Sequence, residues 1–244
     1  MIKTVIFDID NTLYNFDKNH LCGMKALAAY CKTSFGLQEQ EMLSIYEKAQ
    51  KTANQRIGTD TAAIHSRMIR FQCMTELLSM PPFPYVEEMY HAYWDTLIAH
   101  AEPSPGAPEF LSVLKENGVR IGIGTDMTAS IQYQKLKKLG LAPYIDFIVT
   151  SQEAGVEKPH PHFFEICVEK AGCLPEKCAF IGDHLKKDVQ GACKHGLYGI
   201  WYSQEKLPEK DTGYPTIVSF SDYLNISDFR RIFHPIPATF IQKK

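Results

Sequence analysis

The chain has 244 residues, room for one large domain or one domain carrying a substantial insertion. Hydrophobic residues make up 45% and charged residues 22%, the balance of a soluble globular protein, and no apolar run approaches the length of a membrane span. The formal net charge of −2 gives no basic field to draw in nucleic acid or an anionic membrane, so neither is expected as a partner.

Met1-Ile2-Lys3-Thr4 carries no cationic segment ahead of a long apolar stretch, so no signal peptide is expected. Residues 1–13 give a first strand. It contains Val5-Ile6-Phe7-Asp8-Ile9-Asp10-Asn11-Thr12-Leu13, an apolar run that ends in two acids one residue apart and then a turn-prone pair. Two close carboxylates repel each other, and a strand has no structural need of them. They make sense at a strand end that delivers them to a cation, with one carboxylate left free to attack an electrophile.

From about 17 to 100 the texture turns helical. Ile64, Met68, Phe71, Met74 and Leu78 recur at helical spacing, as do Val86, Met89, Tyr90, Tyr93 and Leu97, with Pro81-Pro82-Phe83-Pro84 between the two runs. Both stripes are expected to be helix core. The stretch from Glu102 to Pro108 is a return linker, and strands then alternate with helices. Helices are expected at 109–117, 128–139, 161–171 and 185–195, and strands at 119–124, 146–150, 178–181, 198–202 and 216–218. That alternation predicts βαβ units and a parallel sheet. The expected fold class is therefore α/β, a three-layer core of residues 1–16 and 101–244 with a helical cap inserted over 17–100. Ligands bind at the C-terminal strand ends of such sheets, so the insertion should overhang the site. The seven cysteines are odd in number and scattered, with no Cys-x-x-Cys, which points to a reducing cytoplasm rather than a disulfide framework.

Each expected strand hands a polar group to one edge. The first brings Asp8 and Asp10, the second Thr125-Asp126, the third Lys158-Pro159, and the fourth Gly182-Asp183 with Asp188 five residues on. Phosphoryl transfer to a carboxylate needs those parts. Asp8 is the candidate nucleophile. Asp8 and Asp183 would hold a hard divalent cation, with the Asp10 backbone carbonyl and, at one remove, Asp188; oxygen ligands suit Mg²⁺. The Asp10 side chain would protonate the leaving alcohol and then take a proton from water. Thr125 would donate a hydrogen bond to a phosphoryl oxygen, and Lys158 would balance developing negative charge.

These residues resemble the four motifs of the haloacid dehalogenase-like superfamily. Asp8-Ile9-Asp10-Asn11-Thr12-Leu13 looks like its first motif, Thr125 its second, Lys158-Pro159 its third, and Gly182-Asp183 with Asp188 its fourth. The resemblance runs from residue 1 to about 220. It implies a Rossmann-like core, an acyl-phosphate mechanism and Mg²⁺ dependence, and the insertion resembles the cap of the subgroup holding phosphoglycolate phosphatase, β-phosphoglucomutase and nucleotidases. The expected activity is a phosphatase acting on a small phosphorylated metabolite, a nucleotide or a sugar phosphate, by a monomer or weak dimer. A phosphomutase of the β-phosphoglucomutase type is the alternative. A 2-haloacid dehalogenase is disfavoured by Asp10, since members with that chemistry lack the second acid of the first motif and the metal.

One position departs from the family pattern. Asp126 stands where asparagine often follows the second-motif hydroxyl, and it is expected to face the N-terminus of the next helix. Arg67 and Arg70 on the insertion are candidates for binding a second substrate anion or stacking on a base, against the plainer expectation of a solvated helix face. Tyr14, Asn15 and Phe16 should form a flap against the cap. Gly122-Ile123-Gly124 lacks the third glycine of a dinucleotide fingerprint, and His160 and His162 lack a third zinc ligand.

Overall fold

The computed structural model describes residues 1–58, 61–204, 212–225 and 227–228. The expected core boundary at 244 therefore runs past the described residues.

Six strands form one all-parallel sheet in the order β3-β2-β1-β4-β5-β6, where β1 is Thr4–Phe7, β2 Arg120–Thr125, β3 Phe147–Thr150, β4 Cys178–Gly182, β5 Tyr198–Tyr202 and β6 Thr216–Ile217. Central strands of a parallel sheet are covered on both faces, so they read as continuous apolar runs; all four residues of β1 are buried. In the register, Phe7 lies opposite Ile123 on one side and Ile181 on the other. The residues after these three therefore leave the sheet at one edge, which brings Asp8, Thr125-Asp126 and Asp183 together. Gly122 and Gly124 have a packing reason. A Cβ on Gly124 would come within 2.7 Å of Phe180 Cε2, and one on Gly122 would run into the Phe147 ring.

Helices α5 (Ala107–Glu116), α6 (Ala129–Lys138), α7 (Ser151–Ala154), α8 (Pro161–Ala171) and α9 (Gly191–Lys194) connect or follow the strands. The sequence expected one helix over 185–195. The structure instead makes Leu185–Gln190 a π-helical turn and only then continues as α9. Such wide turns occur often at functional sites, and Asp188 lies inside this one.

Between β1 and α5 stand four helices: α1 (Phe16–Phe35), α2 (Glu39–Ile57), α3 (Arg67–Leu77) and α4 (Tyr85–Ala99). Asn15 caps α1 by accepting from Lys18 N at 2.9 Å. The expected stripe on α3 is turned by about one residue. Ser66 caps the helix, Phe71 and Met74 are buried, and Met68 is 39% exposed. Arg67 and Arg70 take the inward positions instead, which overturns the solvated helix face. Long cationic stems bury well when rings accept the head group, and Tyr46, Tyr93 and Trp94 supply those rings. No helix among the described residues is long and apolar enough to cross a membrane.

Candidate active site

Lys158 is the hub. It is 4% exposed, and its ammonium donates to Asp8 Oδ1 at 2.8 Å, Asp188 Oδ1 at 2.7 Å and Gly124 O at 3.1 Å. Asp188 is held from its other oxygen by His184 N–H at 2.9 Å. Gly182 leaves room for this carboxylate, since any side chain there would collide with it. Ligand oxygens of Asp8, Asp183 and Asp188 lie within 4.8 Å of one another.

Two of these carboxylates, Asp8 and Asp183, are pushed up by burial and by their acidic neighbours. Burial pushes Asp8 well above the usual carboxylate range; Lys158 opposes the rise, and Asp188, Asp183 and Asp10 add to it. Burial and Asp188 push Asp183 up to about 7. An all-oxygen donor set carrying this much repulsion fits a hard divalent cation, which would relieve it.

Asp10 stands outside that group and has partners of its own. Its Oδ1 accepts from Tyr14 O–H at 2.5 Å and from Lys135 Nζ at 2.6 Å, and its Oδ2 from Gln132 Nε2 at 3.2 Å. Burial would raise the Asp10 carboxyl, but Lys135, Tyr14 and Gln132 outweigh it and hold the group below the usual range. Lys135 is fully buried, with its ammonium 5.4 Å from the ring centres of Tyr14, Phe16 and Trp94. Gln132 also donates to Thr125 Oγ1 at 2.6 Å.

Asp126 does not face the following helix. Its Oδ1 accepts from Lys158 N–H at 2.9 Å and its Oδ2 from Lys187 Nζ at 3.0 Å. Lys187 also reaches Glu157 Oε2 at 3.1 Å, and Glu157 Oε1 meets His65 Nε2, between α2 and α3, at 2.6 Å. The extra acid is thus neutralised by a lysine from the π turn, so it adds no uncompensated charge to the site. The α6 N-terminus takes other partners: Met127 N–H donates to Ser151 Oγ and Ala129 N–H to Gln152 Oε1.

A cavity of about 240 Å³ opens over this edge, lined by the acids, Asp126, Lys158 and Lys187 together with Phe16 at the start of α1, His65 just before α3 and Arg67 at its start. Of the residues the sequence singled out, Asp8, Asp10, Asp126, Lys158, Asp183, Asp188 and Arg67 line this cavity. Thr125 is fully buried and does not line it, and neither does Arg70, whose guanidinium donates to Tyr46 Oη at 2.6 Å and Ile64 O at 3.3 Å. His160 caps α8 by accepting from His162 N–H, and both histidines are exposed. Sequence reasoning missed Gln132, Lys135, Glu157, Lys187 and His65. Lys135 and Gln132 had a signal: Lys135 follows Ile131 by four residues and Gln132 precedes Leu136 by four, both on the apolar face of α6.

A family model for haloacid dehalogenase-like hydrolases matches residues 2–196. The ribulose-1,5-bisphosphate 5-phosphatase of Halopiger xanaduensis is 32% identical over 204 residues, covering 83% of this chain and 85% of that one. The glyceraldehyde 3-phosphate phosphatase of Methanopyrus kandleri is 32% identical over 215 residues, covering 86% and 88%. Among solved structures, a 2-haloacid dehalogenase from Pseudomonas syringae superposes with a TM-score of 0.72 over 95% of this chain and 99% of that one, at 21% identity.

Proposed function

The chain belongs to the haloacid dehalogenase-like hydrolases, and on that premise we propose that it is a Mg²⁺-dependent phosphatase of a small phosphomonoester, a nucleotide or a sugar phosphate, working through an aspartyl phosphate on Asp8. The observation that carries this reading is Lys158 bridging Asp8 and Asp188 in a cavity that Asp183 also lines. The phosphatase names of two relatives 32% identical to it point the same way. In this reading residues 17–100 are the cap and residues 1–16 and 101–244 the core, and the protein works in the cytoplasm as a monomer or weak dimer.

Asp8, Asp183 and Asp188, with the Asp10 backbone carbonyl, would hold Mg²⁺, which supplies charge neutralisation for an anion attacking an anion. An Asp8 carboxylate oxygen attacks phosphorus, and the bond from phosphorus to the leaving oxygen breaks. Lys158 balances the negative charge that spreads over the phosphoryl oxygens. Thr125 lies behind the cavity wall and acts at one remove from those oxygens: it accepts from Gln132 and so holds that side chain beside Asp10. Lys135 keeps Asp10 ionised in the resting site; the arriving phosphate adds negative charge, so Asp10 takes up a proton from solvent and passes it to the leaving alkoxide. Ionised again, Asp10 removes a proton from the water that cleaves the acyl phosphate.

The test is hydrolysis of p-nitrophenyl phosphate. Turnover should need Mg²⁺ and stop with EDTA, Asp8→Asn should abolish it, and Asp10→Asn should accumulate phosphoenzyme. Metal-independent turnover, or full activity in Asp8→Asn, would overturn the assignment.

A further inference from the structure

Arg67 is 8% exposed and lines the cavity from the start of α3. Its polar contacts are poor. Nη1 lies 3.5 Å from His65 O, Nη2 lies 3.5 Å from Tyr93 Oη, and Nε has no hydrogen-bond partner. No carboxylate pairs with Arg67 or Arg70 among the described residues. Instead the Arg67 guanidinium carbon sits 5.3 Å from the Tyr93 ring centre and 5.8 Å from that of Trp94. Arg70 lies one helical turn away, and burial together with Arg67 holds it below the usual arginine range. Two neighbouring guanidiniums, buried and with no ion-pair contact, are costly to maintain for the fold alone; Asp10 raises Arg67 only from a distance and is already paired with Lys135. The missing partner is an anion.

We propose that Arg67 is the subsite for a second anionic group of the substrate, so that the substrate is a short bisphosphate or phosphocarboxylate with one anionic end at Asp8 and Lys158 and the other at Arg67. This rests on the phosphatase reading for the first end only. A planar, five-donor guanidinium matches a phosphate or carboxylate bidentately. The cavity of about 240 Å³ falls below the roughly 300–1,000 Å³ of sites for drug-sized ligands, so both ends belong to one small molecule. Stacking on a nucleobase is the competing role for Arg67. It needs a free guanidinium face, and Tyr93 and Trp94 already crowd that group. A nucleoside monophosphate, with one anionic group, would leave Arg67 unpaired.

Calorimetric titration with non-hydrolysable probes tests this in the presence of Mg²⁺: propane-1,3-diyl bisphosphonate, 4-phosphonobutyrate and, as the single-anion control, propylphosphonate. The wild-type protein should bind at least one doubly anionic probe about tenfold or more tighter than the control, and the tighter of the two names the second group. In Arg67→Met that ratio should fall below about threefold. Arg67→Lys keeps the charge without the fork, so its ratio should lie between the two and serves if the methionine variant does not fold. Equal affinity for all three probes in the wild type overturns the proposal, as does a ratio that survives in Arg67→Met or, where that variant is unfolded, is undiminished in Arg67→Lys. Turnover of p-nitrophenyl phosphate by the wild type reads the phosphatase assignment separately. A protein that prefers the bisphosphonate but hydrolyses nothing sinks that assignment and leaves the anion subsite standing.

Discussion

Gly182→Ala tests the acid cluster through a single methyl group. Gly182 is the last residue of β4, where alanine is compatible with the backbone, so the effect is steric. An added Cβ would lie 2.6 Å from Asp188 Cβ and closer still to its carboxylate, whereas ordinary contact begins at 3.4 Å. The Asp188 carboxylate, at 2.4 Å, must therefore retreat by about 1.0 Å. At 1% exposure it has no space to do so without stretching its bonds to Lys158 Nζ at 2.7 Å and His184 N at 2.9 Å. Overpacking of this kind costs about 1–3 kcal/mol. A catalytic group misplaced by about 1 Å loses on the order of 10²-fold in rate. We expect Mg²⁺ affinity by calorimetry to fall by about tenfold or more and p-nitrophenyl phosphate turnover by about 100-fold, with circular dichroism unchanged. Wild-type Mg²⁺ affinity together with turnover within about twofold of wild type would refute the argument that Gly182 exists to seat Asp188.

Asp183 makes a pH-dependent prediction. Its carboxyl is pushed up to about 7 in the folded chain, against about 3.9 unfolded, so the folded state holds its proton more tightly. The stability it contributes is complete below about pH 3.9 and is lost as pH rises through about 7. In thermal denaturation without metal, Asp183→Asn should thus raise Tm at pH 8 and leave it unchanged at pH 3.5; equal shifts at both would contradict this. Lys135→Met should destabilise the protein by roughly 3 kcal/mol, the lower end for a broken buried pair because the Asp10 side chain is 25% exposed. Urea titration at pH 7 reads that loss, and a change under about 1 kcal/mol would show that the pair is not maintained. Phe220→Ala should cost about 3–5 kcal/mol in the same assay, since its fully buried ring stacks on Tyr202 at 4.6 Å and on Phe110 at 5.4 Å. Incubation with β-glucose 1-phosphate separates phosphatase from mutase: free phosphate is expected, and glucose 6-phosphate would favour the mutase.

The sequence by itself placed Asp8, Asp10, Asp183 and Lys158 at one edge. Strand ends are a local property: an apolar run stops where the chain leaves the sheet, and parallel strands all stop on the same side. Glycines and prolines marked most helix ends for the same local reason, and α8 and β5 fell on the expected residues. Partners distant in sequence were decided by the tertiary structure alone. Lys135 reaches Asp10 across 125 positions, and Lys187 meets Asp126 across 61. Helix rotation was decided there too. Methionine and arginine stems suit a buried stripe about equally, so the spacing on α3 fits two phases about 100° apart. The rings of Tyr46, Tyr93 and Trp94, on α2 and α4, selected the phase that turns Arg67 toward the cavity. The π turn was equally out of reach, because its hydrogen bonds answer to where Asp188 must point rather than to the propensities of Leu185–Gln190.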